Sequence, residues 1–583
     1  MTRAETAYLS WLDDPRFSPD TRAELLAIQD DKTEIEERFY QDLKFGTAGL
    51  RGILGAGTNR MNFYTVGRAA TAYAREIADQ KDGKSRGIAI SYDCRDFSRE
   101  FAELAAGIFV RHGIKVYFST ELRPVPILSF AIRHFECAGG IMITASHNPA
   151  IYNGFKVYGA DGGQLPPDEA DAVAAEMKNI TDLPSTVSDA LECTKAAASD
   201  LFNWMGEDID QAYSDYLMTL SLDRGAVGKS KHLPIVYTPL HGSGNKPVRR
   251  QLERLGFSNV SVVLEQELPD GNFPTVELPN PELPETMQMA VDLARSIEAS
   301  LVLATDPDAD RTGVVVRLKN GDYKILTGNE IGLLLMDYIL GAKSAAGVLP
   351  ENAFCVTTIV SSRLTRTIAR HYEADLHVTF TGFKYIAEVI AEYADTGLGE
   401  FQFGFEESFG YLAGNKVRDK DAVVACMLLA EMAAAAAVDD ETLSDRLDSL
   451  YERYGNHAEA TVSIYREGKA GLEKIAAAMD TLRRDKAKGI PGAAVREVLD
   501  YESGTGLVLR SGEEIKAPLQ GSNVIMYELE GPSGMDWMCV RPSGTEPKIK
   551  VYYGIYDQDK DICEQRLKDV KQQTLAYINS LLD

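Results

Sequence analysis

Three times along this chain a run of strand, helix, strand, helix and strand empties into a polar loop, and that recurrence constrains the fold more than any other feature. The first run has RGIAISYD (86–93), a helix over 99–112, IKVYFS (114–119), a helix near 126–136 and GGIMITA (139–145), ending in TASHNP. The second has LPIVYTP (233–239), a helix over 246–255, NVSVVL (259–264), a helix near 284–298 and ASLVLATD (299–306), ending in TDPDADR. The third has AFCVTTIV (353–360), a helix over 362–372, LHVTFTG (376–382), a helix over 384–394 and FQFGFE (401–406), ending in GFEESFGY. Short apolar strands alternating with helices require a sheet at least partly parallel, covered on both faces. Ligands bind such sheets beyond the carboxyl ends of the strands. Three loops in equivalent positions therefore predict one shared cleft.

The flanks differ. Residues 1–40 read as two polar amphipathic helices, with Leu25, Leu26 and Ile35 at apolar positions. From about 455 onward the pattern is α+β: a basic helix (EGKAGLEKIAAAMDTLRRDKAKG), strands 523–530 and 536–540, the segment RPSGTEPKIKVYYGIY and a last helix. The alanine run 433–437 belongs to a helix over 421–438. A length of 583 residues agrees with about four domains at ~150 residues each.

Charge narrows the partners. Against 87 acidic residues stand 61 Lys and Arg, a formal net charge of −26, which repels nucleic acid and anionic membrane. Neither is an expected partner, and no obligatory protein partner is evident. An anionic substrate needs a locally basic site within that adverse field. Seven scattered cysteines without a C-x-x-C pair read as free thiols of a reducing compartment. The N-terminus lacks an apolar signal core, and no run approaches ~18 apolar residues, so the expected location is cytoplasmic.

The loops carry the chemistry. Ser146 lies in Thr144-Ala145-Ser146-His147-Asn148, which lacks the G-x-S-x-G elbow of a serine hydrolase. Asn148, Asn153, Gly154 and Lys156 can instead surround an anionic group, which suits phosphoryl chemistry better than acyl transfer. His147 reads as a loop-shaping neighbour. Asp306, Asp308 and Asp310, at spacing two, point the same way on an extended segment and repel one another unless a cation sits between them. A calcium loop needs Gly at position six and Glu at twelve, where this chain has Arg311 and Arg317. An all-oxygen site with room for phosphate suits Mg²⁺. In RPSGTEPK, Arg541, Ser543, the Gly544 backbone and Thr545 form a candidate phosphate nest. Glu406, Glu407 and Ser408 suit the hydroxyls of a sugar, with Arg418 and Lys420 nearby.

TASHNP, DPDADR, EES and RPSGTEPK, in this order, resemble the α-D-phosphohexomutase superfamily, as do FGTAGLRG (45–52) and PDGNFPT…PNPE (269–282). Together with TPLHGSG (238–244) and the length, they are most similar to its bacterial phosphoglucomutase branch. The resemblance implies four domains around a central cleft: three similar mixed α/β domains and a TBP-like α+β domain. The expected spans are 1–205 (N-terminal helices and phosphoserine domain), 206–325 (metal), 326–452 (sugar) and 453–583 (phosphate). It implies interconversion of glucose 1-phosphate and glucose 6-phosphate through phosphoserine 146, with glucose 1,6-bisphosphate as intermediate and activator. One Mg²⁺ would be held by Asp306, Asp308, Asp310 and an oxygen on Ser146. Arg51, His147 and Lys156 would assist near the donor, with Lys156 a candidate for proton handling. Arg311, Thr381, Gly382, Glu406, Ser408, Lys420, Arg541, Ser543, Gly544 and Thr545 would bind substrate. Relatives acting on mannose phosphates place histidine in the third loop, where this chain has Thr381-Gly382-Phe383-Lys384. Phosphopentomutase, phosphomannomutase, a sugar-bisphosphate synthase and a non-catalytic sugar-phosphate binder stay open as alternatives.

Overall fold

The computed structural model describes residues 1–46, 49–466, 468–543 and 548–583. They divide into two compact units: Met1–Ala353 with Phe383–Ser444, and Phe354–Gly382 with Asp445–Asp583.

In the first unit, β1 (Leu50–Ile53), β2 (Ile88–Tyr92), β3 (Val116–Ser119), β4 (Gly139–Ile143), β5 (Tyr152–Gly159) and β6 (Phe202–Met205) form one sheet in the order β1-β5-β4-β2-β3-β6. Strand β2 runs parallel to β3 and β4, and β3 parallel to β6, while β5 is antiparallel to both β4 and β1. Every residue of β2 and β4 is buried. That is why they read as unbroken apolar runs, each buried Ile contributing about 1.5–3 kcal/mol. Helices Ser98–Arg111 and Val125–His134 both pack on these two strands.

A second sheet is built from β7 (Ile235–Thr238), β8 (Val260–Val262), β9 (Leu301–Thr305), β10 (Thr312–Arg317) and β11 (Tyr323–Ile325), in the order β11-β10-β9-β7-β8. Here β7 is parallel to β8 and β9, and β10 is antiparallel to β9 and β11.

Of the third strand–helix run, residues 354–358 of β12 (Ala353–Thr358) pair in parallel with β13 (Asp375–Thr379) within the second unit. Strands β14 (Glu400–Glu406) and β15 (Gly410–Ala413) pair antiparallel within the first. The polar loops after β4, β9 and β14 are therefore turns between antiparallel strands, not entries into helices. The helix Ala422–Val438 follows, capped by Asp421 and buried nearly all round, as its Ala/Val/Leu/Met sequence demands.

The remaining strands, β16 (Asn456–Tyr465), β17 (Val495–Asp500), β18 (Thr505–Val508), β19 (Glu513–Lys516), β20 (Ile525–Leu529), β21 (Trp537–Pro542) and β22 (Lys548–Asp557), make an antiparallel sheet in the second unit. Helices Gly468–Arg484 and Lys560–Leu582 pack on it. The architecture is thus three α/β regions followed by an α+β domain, as expected.

The N-terminus differs from expectation in having three helices, Arg3–Asp13, Pro19–Ala27 and Lys32–Phe39. Ser18 caps the second and Asp31 the third. Those breaks sit in stretches whose polarity reads as continuous helix surface. The three helices share a small core in which Tyr8, Trp11, Phe17 and Phe39 pack with Leu25 of the second helix against Tyr64. Among the described residues no single helix is long and apolar enough to cross a membrane.

Candidate active site

Ser146 is the second residue of the turn after Ile143-Thr144, and its backbone is left-handed, with φ 52°. Its N–H donates to Thr144 Oγ1 at 2.8 Å. Its hydroxyl donates to Asp306 Oδ2 at 2.7 Å, and His147 Nδ1 lies 3.1 Å from the same oxygen. Ser146 is 3 % exposed.

The aspartate loop is a turn rather than the extended segment that the spacing suggested. Ala309 is left-handed (φ 46°) and donates its N–H to Asp306 O at 2.9 Å. Asp306 Oδ1 accepts the N–H groups of Asp310 and Arg311, both at 3.1 Å. The three side chains converge because the backbone curls round the first of them, and an oxygen of each lies within 4.8 Å of the others. Three separate segments pin the turn by its carbonyls. Ser243 holds Pro307 O through both its N–H and its hydroxyl, Val125 N–H holds Asp308 O, and Ala422 N–H holds Ala309 O.

The carboxylates are fully buried, and cations offset only part of their charge. Lys156 Nζ is 2.8 Å from Asp308 Oδ2 and 3.6 Å from Asp310 Oδ2, and Lys420 Nζ is 3.1 Å from Asp310 Oδ2. Burial opposes ionisation of Asp308, yet Lys156 and Lys420 hold its carboxyl down at about 2. Asp306 behaves oppositely: burial, then repulsion by Asp308 and Asp310, pushes it well above the ordinary carboxylate range. Asp308 Oδ1 and Asp310 Oδ1 are buried without a hydrogen-bond partner. Orphaned oxygens in a carboxylate trio with a serine oxygen alongside fit a hard divalent cation.

The surroundings are locally basic, as an anionic substrate requires in so acidic a protein. Burial, then the charges of Arg311, Arg51, Arg95 and Lys156, push the His147 imidazole well below its usual range, which favours the neutral ring. Arg51 donates to Asn148 Oδ1 at 3.1 Å from β1. Lys156, on β5, is held as an ammonium: Asp308 and Asp310 raise its pKa although burial opposes them. Arg311 pairs with Glu282, and the charge of Glu406 acts on both Arg311 and Lys420. Ser408 Oγ lies 3.5 Å from Glu406 Oε2. Lys420 runs past Gly410, where a Cβ would come 2.1 Å from its Cδ, and its ammonium is engaged by Asp310 and Asp419.

Arg51, Ser146, His147, Lys156, the three aspartates, Arg311, Glu406, Ser408 and Lys420 all belong to the first compact unit. Thr381, Gly382, Arg541 and Ser543 belong to the second. There Thr381 and Gly382 are half-buried, Gly382 with φ 124°. Arg541, also half-buried, sits opposite Lys550 near the end of β21, and Ser543 N–H donates to Lys548 O at 2.8 Å. Gly544 and Thr545 lie outside the described residues.

Several contributors escaped the sequence reading. Glu282, in the PNPE segment, is the carboxylate partner of Arg311. Asp419 holds Lys420 and is itself held by Tyr158 Oη at 3.1 Å and Gln164 Nε2 at 3.0 Å. Arg95 gathers four carbonyls of the serine loop. Left-handed residues were invisible too: Ser146, Leu240, His241, Phe273, Ala309 and Phe409 all have positive φ in or beside these loops. Each costs on the order of 1 kcal/mol or more, and such strain concentrates at functional sites. A cavity of about 490 Å³, lined by Arg123, Tyr213, Ser243 and Arg250 among others, lies behind the aspartate turn and includes none of the expected site residues.

Comparison with known proteins agrees with this geometry. Three successive α/β/α domain models of phosphoglucomutase/phosphomannomutase, domains I, II and III, match residues 42–183, 211–320 and 327–454. A phosphoglucomutase of Staphylococcus haemolyticus is 38% identical over 538 residues, covering 92% of this chain and 94% of the relative. Two solved structures share the fold. Parafusin, a phosphoglucomutase of Paramecium, in its open form, has a TM-score of 0.66 at 17% identity, covering 93% of this chain and 95% of that one. A phosphoglucomutase/phosphomannomutase family protein of Burkholderia thailandensis has 0.63 at 18%, covering 92% and 97%. With three domain models matched in order and a curated relative aligned over nine-tenths of its length, the chain belongs to the phosphoglucomutase/phosphomannomutase family.

Proposed function

We propose that this isomerase is a phosphoglucomutase that carries its phosphoryl group on Ser146. The observation that carries the reading is a buried serine hydroxyl donating to one member of an aspartate trio whose other two members present orphaned oxygens. A nucleophile placed on a divalent-metal site is the arrangement that phosphoryl transfer needs.

On this reading phosphoserine 146 gives its phosphoryl group to O6 of glucose 1-phosphate. The P–Oγ bond breaks as the P–O6 bond forms, and the O6 proton passes to Ser146 Oγ. Glucose 1,6-bisphosphate turns round and returns its C1 phosphoryl group to Ser146 Oγ: the P–O1 bond breaks, the P–Oγ bond forms and the Oγ proton passes to O1, leaving glucose 6-phosphate. Neutral His147, with Nδ1 3.1 Å from Oγ, is placed to relay the hydroxyl proton between Oγ and the sugar oxygen in both steps. Asp306, Asp308 and Asp310 would hold Mg²⁺, which when bound offsets charge on the transferring group. Arg51, Lys156 and Arg311 keep the donor region positive. Glu406 and Ser408, with Thr381 and Gly382, are proposed to accept sugar hydroxyls. Lys420, Arg541, Ser543, Gly544 and Thr545 are proposed to bind phosphate. The corresponding domain division is 1–205 for the donor, 206–325 for the metal, 326–452 for the sugar and 453–583 for phosphate.

The test is the intact mass of the protein before and after glucose 1,6-bisphosphate with Mg²⁺. One phosphate, mapped to Ser146 and absent from Ser146→Ala, is expected; no increment in the wild type overturns the phosphoserine. Turnover of glucose 1-phosphate is then compared with mannose 1-phosphate and ribose 1-phosphate. A preference for either of the latter would replace the glucose assignment.

A further inference from the structure

We propose that Arg95 and Phe273 are positioning residues which, with His241 and Ser243, hold the Ser146 loop in register with the aspartate loop. The inference rests on the phosphoserine reading and adds to it the device that sets the distance between donor and metal site. It also gives a role to TPLHGSG and PDGNFPT, two motifs that no catalytic step uses.

Arg95 follows β2 in sequence and is 3 % exposed. Its guanidinium donates to Ser146 O at 2.6 Å, Asn148 O at 2.5 Å, Pro149 O at 2.8 Å and Tyr152 O at 3.0 Å. One planar group thus fixes the whole turn from the nucleophile to the start of β5. A five-donor fork suits that task, and an ammonium has neither the reach nor the plane for it. Asp93 orients the arginine, accepting its backbone N–H at 2.9 Å and lying 3.4 Å from its Nε. The serine turn must bend left-handed to aim its hydroxyl at Asp306, and this set of bonds over-determines the bend.

The guanidinium is covered by the ring of Phe273, centred 4.9 Å from it. Phe273 is 2 % exposed, is itself left-handed (φ 47°), and belongs to the segment between β8 and β9. That segment rests on the Arg95 turn so closely that a Cβ on Gly271 would lie 2.7 Å from Asp96 N and 2.8 Å from Cys94 O. On its far side the same segment is tied to the loop after β7. His241 reaches Thr275 Oγ1 at 2.9 Å and Leu268 O at 3.3 Å, and its carbonyl accepts Asp270 N–H at 3.2 Å. Two residues on, Ser243 holds Pro307 O of the aspartate turn with both its donors, each at 2.8 Å. A continuous line of contacts therefore runs from the aspartate turn through Ser243, His241 and Phe273 to Arg95 and the carbonyl of Ser146. Leu240 and His241 are left-handed as well, so the line is built from constrained backbone at each bend.

The test uses the full-length Phe273→Ala, Phe273→Leu, Phe273→Tyr and Arg95→Lys proteins. Its readouts are the rate of Ser146 phosphorylation by glucose 1,6-bisphosphate, kcat and KM for glucose 1-phosphate, and the half-saturating Mg²⁺ concentration. We expect Phe273→Ala and Arg95→Lys to slow phosphorylation and kcat about tenfold or more, with KM nearly unchanged and half-saturating Mg²⁺ raised. Phe273→Tyr, which keeps the ring face, should restore all three. Phe273→Leu, which keeps most of the volume and loses the face, should not. Should Phe273→Ala fail to fold, Phe273→Leu and Arg95→Lys carry the test. A merely structural role would lower thermal stability and the active fraction but leave half-saturating Mg²⁺ where it was. Folded Phe273→Leu and Arg95→Lys with wild-type phosphorylation rates and Mg²⁺ dependence would overturn the inference while leaving the phosphoserine reading intact. A wild type that takes no phosphate overturns both.

Discussion

Two stretches of this protein are proposed to meet phosphate, and their described residues are held differently. The turn after β4 buries Ser146, bends it left-handed, ties four of its carbonyls to one arginine and sets its hydroxyl on an aspartate. Arg541, near the end of β21, and Ser543, just after it, are half-buried. The difference follows from the proposed tasks. A group that transfers phosphoryl must be placed to within tenths of an ångström of its metal and acceptor, so rigidity is worth its strain. A clamp that must accept either end of a bisphosphate needs charge and donors but tolerates looser placement.

The largest effect should come from removing the donor. Ser146→Ala is expected to lower kcat by about 10⁴-fold or more, since it removes the proposed phosphoryl carrier, and to abolish the mass increment from glucose 1,6-bisphosphate. Activity near wild type would collapse the contrast, leaving the serine turn as scaffold. Next in size is the metal. Chelation should abolish turnover and Mg²⁺ restore it. Asp308→Asn, which keeps shape but loses a ligand charge and leaves Lys156 facing a neutral amide, should cost on the order of a thousandfold even with added Mg²⁺.

Much of this was legible beforehand. β2, β4 and β9 are buried on both faces, so their apolar runs are unambiguous, and the polar loops after them stand out by contrast. The aspartate trio could be read as a cation site from charge alone. What stayed hidden depends on contacts distant in sequence. Arg95 lies in SYDCRDFS, which reads as a strand end, and its partners are more than fifty residues further on. The antiparallel return of β5, β10 and β15 has no periodic signature that separates it from a strand leading into a helix. Backbone handedness at Ser146 and Ala309 is invisible because neither is the glycine that normally announces it. The aspartates converge by a curled turn rather than by strand alternation, so the trio was singled out on the wrong local geometry. The division of the third strand–helix run between two compact units likewise leaves no trace in composition.

The proposed phosphate-binding residues at the end of β21 should respond more gently. Arg541→Lys keeps the charge and loses the bidentate fork, so KM for glucose 1-phosphate is expected to rise about tenfold while the mass increment at Ser146 persists at saturating bisphosphate. Loss of kcat with unchanged KM would mean that these residues, too, act in the transition state, and the comparison would fail.

The smallest effect tests how completely the donor side is sealed. Asp421, one residue beyond Lys420, caps the helix Ala422–Val438 and receives the Tyr213 hydroxyl at 2.7 Å. Burial pushes its carboxyl up to about 6, opposed by the hydrogen bonds from Val424, Tyr213 and Val423. The folded protein therefore holds this proton more tightly than the unfolded chain, whose carboxyl titrates near 3.8. Between those values, raising the pH removes stability: the contribution is complete below about 3.8, falls through the window and is gone above about 6. Asp421→Asn keeps an oxygen for the Val424 N–H and removes the titration. Relative to wild type it should gain thermal stability as pH rises from 4 to 6.5, by at most on the order of 3 kcal/mol, with no further change above that. Parallel curves for the two proteins would mean that water reaches Asp421, and that the donor side is less sealed than its burial implies.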